Sequence, residues 1–158
     1  MGGVAPAAGH PPLARLFAIG YRQLIDSLHD RLRERGGTDV RPAFGFALLA
    51  ARDQPTSVTE LAELMGMTKQ AASKLVDAMA SGGYIQRGTD PADGRQRPVT
   101  LTGRGEDLLS AVEQVYAELE DDWAKLIGAA RLDRMRRDLM RVLSDPGSGQ
   151  LPPVRPPW

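Results

Sequence analysis

The chain has 158 residues, of which 42% are hydrophobic and 25% are charged, a composition that suits one globular domain and leaves no room for a second of ordinary size. Its formal net charge is zero and it has no cysteine, which excludes disulfides, thiolate metal sites and cysteine redox switches. No apolar run approaches the about 20 residues of a membrane-spanning helix, and the first residues lack a basic leader followed by an apolar segment, so we expect a cytoplasmic protein without a membrane partner.

Both ends of the chain are rich in proline and glycine and show no repeating apolar face. We predict disordered tails over residues 1–11 and 145–158, around a single domain over residues 12–144.

Two helices are predicted at the start of this domain. Apolar positions follow helical spacing from Leu13 until the glycines at 36 and 37, which predicts a long first helix over about residues 13–35. A short, very apolar second helix is predicted from Pro42, where the missing amide proton is harmless in the first turn, to about Arg52.

The next two helices are predicted from their capping signals. Residues 57–60 read SVTE, the pattern of a capping box, and predict a third helix over residues 58–65 that ends at Gly66. Thr68 is a good N-cap for a fourth helix over about residues 69–81. Two helices joined by so short a connection form a helix-turn-helix.

The fourth helix has two distinct faces. One carries apolar side chains at the spacing of a buried stripe, and the opposite one is polar and partly basic. The apolar positions are Ala72, Leu75, Val76 and Met79, and the polar ones are Gln70, Ser73, Lys74 and Asp77.

A two-stranded hairpin with a long loop is predicted next. Residues 84–87 (YIQR) and 98–101 (PVTL) are short strand candidates, and the turn-rich insert between them carries Arg95 and Arg97. Thr102 then caps a long fifth helix, and a sixth is predicted over about residues 132–143.

Charge is distributed unevenly along this half of the chain. Between Thr68 and Arg104 there are six basic residues against three acidic ones, whereas residues 105–122 contain seven acidic residues and no basic one. The acidic run is expected to be a solvated helix face.

The order of these parts resembles the MarR family of winged helix-turn-helix transcription regulators. The resemblance covers about residues 13–143, and its most specific part is SVTELAELMGMTKQAASKLVDAMASGGYIQRGTDPADGRQRPVTLTGRGEDLL. It implies a mainly α fold, a winged helix-turn-helix with a two-stranded β wing and long terminal dimerisation helices. The winged helix would occupy about residues 42–102, and the dimerisation helices about residues 13–35 and 103–143.

The resemblance also implies a mechanism. The fourth helix would enter the major groove of double-stranded DNA and the hairpin loop would be a wing that reaches the minor groove, with Asp93 as its anchor. The terminal helices would pair two subunits into a homodimer on a palindromic operator, most often as a repressor. Side chains suited to phosphates, base edges or a narrow minor groove are Thr68, Lys69, Gln70, Ser73, Lys74, Arg95 and Arg97.

Proteins of this family often bind a small aromatic or amphipathic acid between the dimer helices and the DNA-binding lobe. Position and residue type alone select the candidates, and core packing is the favoured explanation for the apolar ones. Arg22 or His29 could pair with a carboxylate ligand, and an exposed side chain explains these two equally well. They are Tyr21, Arg22, His29, Phe44, Phe46, Tyr116 and Trp123.

No catalytic residues, metal ligands or cofactor are predicted. His10 and His29 are the only histidines, and no phosphate-binding loop or nucleophile motif occurs. Two other functions stay open at this point, a winged-helix module that binds proteins and a ligand-binding protein that no longer binds DNA.

Overall fold

The computed structural model describes residues 10–37, 40–52, 56–88, 98–149 and 151–152. The elements run α1 (Leu13–Glu34), α2 (Pro42–Arg52), α3 (Val58–Met65), α4 (Lys69–Ser81), β1 (Ile85–Arg87), β2 (Val99–Leu101), α5 (Gly103–Ile127) and α6 (Ala129–Leu143). The predicted fold class, mainly α with a two-stranded sheet, is confirmed. The sixth helix begins three residues earlier than predicted, because the break lies at Gly128, whose φ of 90° favours glycine, and the alanines after it are already helical.

The sheet is a short antiparallel hairpin with one addition that the sequence did not reveal. β1 pairs with β2 from Ile85 opposite Leu101 to Arg87 opposite Val99. On the other side of β2, Val99 forms an isolated bridge with Thr56, with N–O distances of 3.1 and 2.9 Å for the two backbone hydrogen bonds. The stem of the hairpin is therefore fixed to the residue just before the cap of α3.

One core joins the winged helix to the long fifth helix. Its largest fully buried side chains come from α2, α3, α4, β2 and α5, and α1 adds Leu28 and Leu32. Burial of such side chains is the main favourable term in folding. The six innermost residues are Leu48, Leu61, Val76, Met79, Val99 and Val115.

The acidic run of α5 is more than a solvated face, which corrects the expectation from the sequence. The Arg31 guanidinium on α1 donates to Glu118 at 3.1 Å and to Asp122 at 2.7 Å, and Arg35 also pairs with Glu118. Hydrogen bonds from Arg35 and Arg31 hold the pKa of Glu118 below its usual range. Hydrogen bonds from Lys125 and Arg31 do the same for Asp122. Two further pairs join α5 to other helices, Glu113 with Arg52 of α2 and Glu120 with Arg136 of α6.

Within the described residues, no helix is long and apolar enough to cross a membrane.

Candidate nucleic-acid interface

The helix-turn-helix carries a cap at each end of α3 and another at the start of α4. Ser57 Oγ accepts from the Glu60 amide at 3.1 Å while the Glu60 carboxylate accepts from the Ser57 amide at 2.7 Å, so the predicted capping box is present. α3 ends at Gly66 in the left-handed region, with φ 61°. Thr68 Oγ1 then accepts from the Ala71 amide at 3.2 Å and starts α4. Gly66 and Thr68 therefore bound the short turn that joins α3 to α4.

α4 is held by its apolar face, as predicted, and presents the opposite face outward. Ala72, Leu75, Val76 and Met79 are buried, whereas Lys69, Gln70 and Lys74 are exposed and Ser73 is half-buried. α4 begins at Lys69, where the amide groups of the first turn are directed out of the helix end, and such a helix end favours anions. This surface can therefore accept phosphate and present polar groups to base edges.

A polar junction connects α4, the hairpin and α5. The Thr102 hydroxyl donates to the Gly83 carbonyl at 2.6 Å and accepts from the Gly105 amide at 3.1 Å, and the Thr102 amide donates to the Tyr84 carbonyl at 3.1 Å. The Arg104 guanidinium lies over the Tyr84 ring, 4.8 Å from its centroid. Thr102 thus caps α5, as predicted, and also joins it to the start of the hairpin.

The hairpin is linked to α4 by an ion pair between side chains. Arg87, the last residue of β1, donates to the Asp77 carboxylate on the polar face of α4. The predicted wing residues Asp93, Arg95 and Arg97 lie outside the described residues. The stem that precedes and follows them is present, and it lies beside α4.

A small apolar cavity lies between α1, α2 and α5. Its volume is about 120 Å³, and it brings together three of the seven ligand candidates, His29, Phe46 and Tyr116. The Nε2 atom of His29 is buried and has no hydrogen-bond partner among the described residues. Burial lowers the pKa of His29, an effect that Arg33 adds to and that Asp26 and Asp30 oppose. Burial raises the pKa of Tyr116, and the nearby Tyr21 phenol adds to this.

The other four candidates do not line this cavity. Phe44 is buried in the core, where its ring meets Tyr84 edge-on at 5.7 Å. Trp123 lies against α1, since a Cβ added at Gly20 would be 3.9 Å from the Trp123 ring. Tyr21 is half-buried, and Arg22 is exposed and 3.9 Å from Asp26.

Sequence reasoning missed several residues of these surfaces. Arg41 and Glu113 line the cavity, and Thr56, Asp77 and Arg87 hold the hairpin. Asp77 had been placed on the polar face of α4, but its partner on β1 could not be inferred. Among the described residues, no group of three or more histidine or carboxylate side chains could hold a metal ion.

The fold and the exposed face of α4 define the class of this chain, a winged helix-turn-helix protein. The sequence model of the MarR family matches residues 46–96, from α2 into the wing. The reduced form of MarR from E. coli superposes with a TM-score of 0.71 at 23% identity, covering 85% of this chain and 98% of that one. The MepR–DNA complex of S. aureus gives a TM-score of 0.66 at 20% identity, covering 85% and 97%. At these identities the structural likeness establishes the fold.

A curated relative is the exopolysaccharide II synthesis transcriptional activator ExpG of Rhizobium meliloti (strain 1021). It is 28% identical over 102 residues, which cover 65% of this chain and 53% of the relative. The chain therefore spans about half the length of this curated relative. The family match over residues 46–96 and the fold confirm the resemblance to MarR winged helix-turn-helix regulators that was read from the sequence.

Proposed function

We propose that this chain is a sequence-specific DNA-binding regulator that acts as a homodimer. The observation that carries the proposal is the exposed polar face of α4, where Lys69, Gln70, Ser73 and Lys74 lie in the first two turns of a helix whose opposite face is buried. α4 would enter the major groove, with its lysines on phosphates and Gln70 and Ser73 near base edges. Arg95 and Arg97 of the wing would enter the adjacent minor groove.

The homodimer is supported by apolar side chains on the terminal helices. α1, the end of α5 and α6 expose several large hydrophobic residues, and concentrations of exposed apolar residues mark protein–protein interfaces. Leu126 is 84% exposed and Val142 is 78% exposed. The others include Leu13, Leu16, Phe17, Ile19 and Leu143. Sedimentation that shows a monomer at micromolar concentration would contradict the dimer.

Two-fold symmetry would carry over to the operator. Two α4 helices in successive major grooves require a palindromic site with half-site centres about 34 Å apart. Binding over a promoter would give repression, the default outcome. The curated relative is named an activator, and the position of the operator relative to the promoter would decide between the two.

A small aromatic or amphipathic ligand is proposed for the cavity between α1, α2 and α5. An apolar cavity of about 150 Å³ accepts a benzene ring, and the cavity here is of similar size at about 120 Å³. The unpartnered His29 Nε2 would give the ligand a polar contact. A ligand that fits only one spacing of the two α4 helices would shift the dimer toward that spacing. Thermal shift assays with phenol and with benzoate would show whether the cavity takes a neutral ring or an acid.

The first test is a fluorescence anisotropy titration on the intergenic DNA beside the chain's own gene, at two salt concentrations, with a scrambled duplex as control. A dimer that neutralises about six phosphates should give a slope of about −5 when log affinity is plotted against log salt concentration. Tight binding that prefers the native fragment supports the proposal. Equal, weak binding to both duplexes would favour a protein partner for the same surface, and a complete absence of salt-dependent binding would favour a ligand-binding protein.

A further inference from the structure

The ion pair between Asp77 and Arg87 joins the two parts of the proposed DNA-binding surface. Asp77 lies one turn after Ser73 and Lys74 on the same polar face of α4, and Arg87 ends β1. The Arg87 guanidinium donates to Asp77 Oδ1 across ten positions of the chain. The pair therefore crosses from the helix to the stem of the wing.

The position of Asp77 is unexpected for a surface that meets phosphate. A carboxylate on the DNA-facing side of α4 repels the duplex unless a cation lies beside it. Arg87 supplies that cation, and its side chain is 35% exposed against 62% for Asp77. The arginine is thus the less exposed member of the pair, and its guanidinium is directed to α4.

The stem leads directly into the residues that carry the wing contacts. Gly88 follows Arg87, and its amide donates to the Pro98 carbonyl at 2.7 Å, which closes the described part of the hairpin. Residues 89–97 connect these two positions and contain Arg95 and Arg97. A shift of Arg87 relative to α4 would therefore shift the place from which the wing arginines leave the stem.

We propose that Asp77 and Arg87 are positioning residues for DNA binding. Their ion pair holds the wing stem at a fixed offset from α4, so that the wing arginines and Lys74 match the minor and major grooves at the same time, and Arg87 itself does not contact phosphate. The consequence for DNA rests on the proposed function, whereas the positioning of the stem is a property of the free protein.

The direction in which Asp77→Asn changes DNA affinity distinguishes a positioning role of the pair from a simple effect of its charge. Asp77→Asn removes a negative charge from the DNA-facing side, and if charge alone mattered it would tighten DNA binding. If the pair positions the wing, the same variant weakens binding, by about two- to five-fold because exposed ion pairs are individually weak. Glu63→Gln is the matched control, since it removes an exposed carboxylate from α3 of the same lobe without touching Arg87.

The salt dependence of a second variant tests whether Arg87 contacts phosphate. Arg87→Gln should lower affinity by a similar factor while the slope of log affinity against log salt stays that of wild type. Loss of a phosphate contact would instead reduce the slope by about one unit for each subunit. The charge-swapped double variant Asp77→Arg/Arg87→Asp should recover affinity to within about two-fold of wild type, since it restores the pair.

Hydrogen–deuterium exchange of the free protein makes the two proposals separable. Each single variant should speed exchange in peptides over residues 84–88 and 98–101, and the swap should restore protection. If wild type binds no DNA while exchange follows this pattern, the proposed function is wrong. The claim that the pair holds the stem against α4 in the free protein is then still supported. Unchanged exchange in both single variants, tighter binding by Asp77→Asn, or a swap no better than the weaker single variant would each overturn the positioning role.

Discussion

Two glycines in the first turn of α5 should respond to alanine in opposite directions. A Cβ at Gly105 would lie 2.0 Å from the Tyr84 carbonyl oxygen and 3.1 Å from its carbon, whereas a Cβ at Gly103 would meet nothing within 4 Å. Reaching even 3.0 Å requires the start of α5 and the Tyr84 backbone to separate by about 1 Å, and neither atom belongs to a side chain that could rotate away.

The cost of this separation can be worked from the contacts. Overpacking of this kind costs about 1–3 kcal/mol, and loss of the Thr102-to-Tyr84 hydrogen bond adds about 1 kcal/mol. We therefore expect Gly105→Ala to lower the free energy of unfolding by about 2–4 kcal/mol, which corresponds to roughly 5–15 °C in Tm for a chain of this size. Gly103→Ala should instead stabilise by about 0.4–1 kcal/mol, because it restricts the unfolded chain at a position that suits alanine.

Urea unfolding followed by circular dichroism measures both values, at one fixed protein concentration because the stability of the proposed dimer would depend on concentration. The close approach of α5 to Tyr84 would be contradicted by either of two results. One is a free energy of unfolding for Gly105→Ala within about 0.5 kcal/mol of wild type, and the other is an equal change in that free energy for both variants. Because Tyr84 immediately precedes β1, the surviving folded fraction of Gly105→Ala should also bind operator more weakly than that of Gly103→Ala.

Three other predictions concern charge. Arg95→Ala should weaken operator binding by roughly 1–3 kcal/mol in anisotropy titrations, and binding like that of wild type would contradict the assignment of the wing. Lys74→Ala should lower affinity and also reduce the salt slope if the lysine contacts phosphate. The depressed pKa values of Glu118 and Asp122 contribute stability that is present above their unfolded values near pH 4 and lost as pH falls through their folded values, so thermal stability should drop between about pH 5 and pH 3. Arg31→Met should partly flatten that drop, because Arg35 and Lys125 still pair with these carboxyls, and an unchanged pH profile would show that the two Arg31 ion pairs contribute nothing.

Local signals in the sequence predicted the elements well because the physics that starts and stops a helix is local. Ser57 with Glu60, Thr68 and Thr102 each cap the helix that they were expected to cap, and Gly66 ends α3 in the left-handed conformation. Each of these features involves residues within three positions of one another, so composition and spacing contain the necessary information.

Contacts between distant parts of the chain could not be predicted in this way. The pairing of Arg52 with Glu113 and of Arg31 with Glu118 depends on which helix faces meet, and any arginine and glutamate would satisfy the same pattern. The ligand candidates show the same limit. Phe44 and Phe46 are two positions apart on an apolar helix, yet only Phe46 lines the cavity, because the rotation of α2 decides which ring enters the core and which one faces the cavity.

The bridge between Thr56 and Val99 sets an order of events during folding. These residues stand before α3 and after β1 in the chain, so their two hydrogen bonds close a long loop that contains the whole helix-turn-helix. Closing such a loop costs entropy that local helix formation does not. On a ribosome, α3 and α4 emerge before β2, so the hairpin acquires its fixed base only after Val99 has been synthesised. A nascent chain therefore contains α4 before it contains the second strand, which fixes the base of the hairpin.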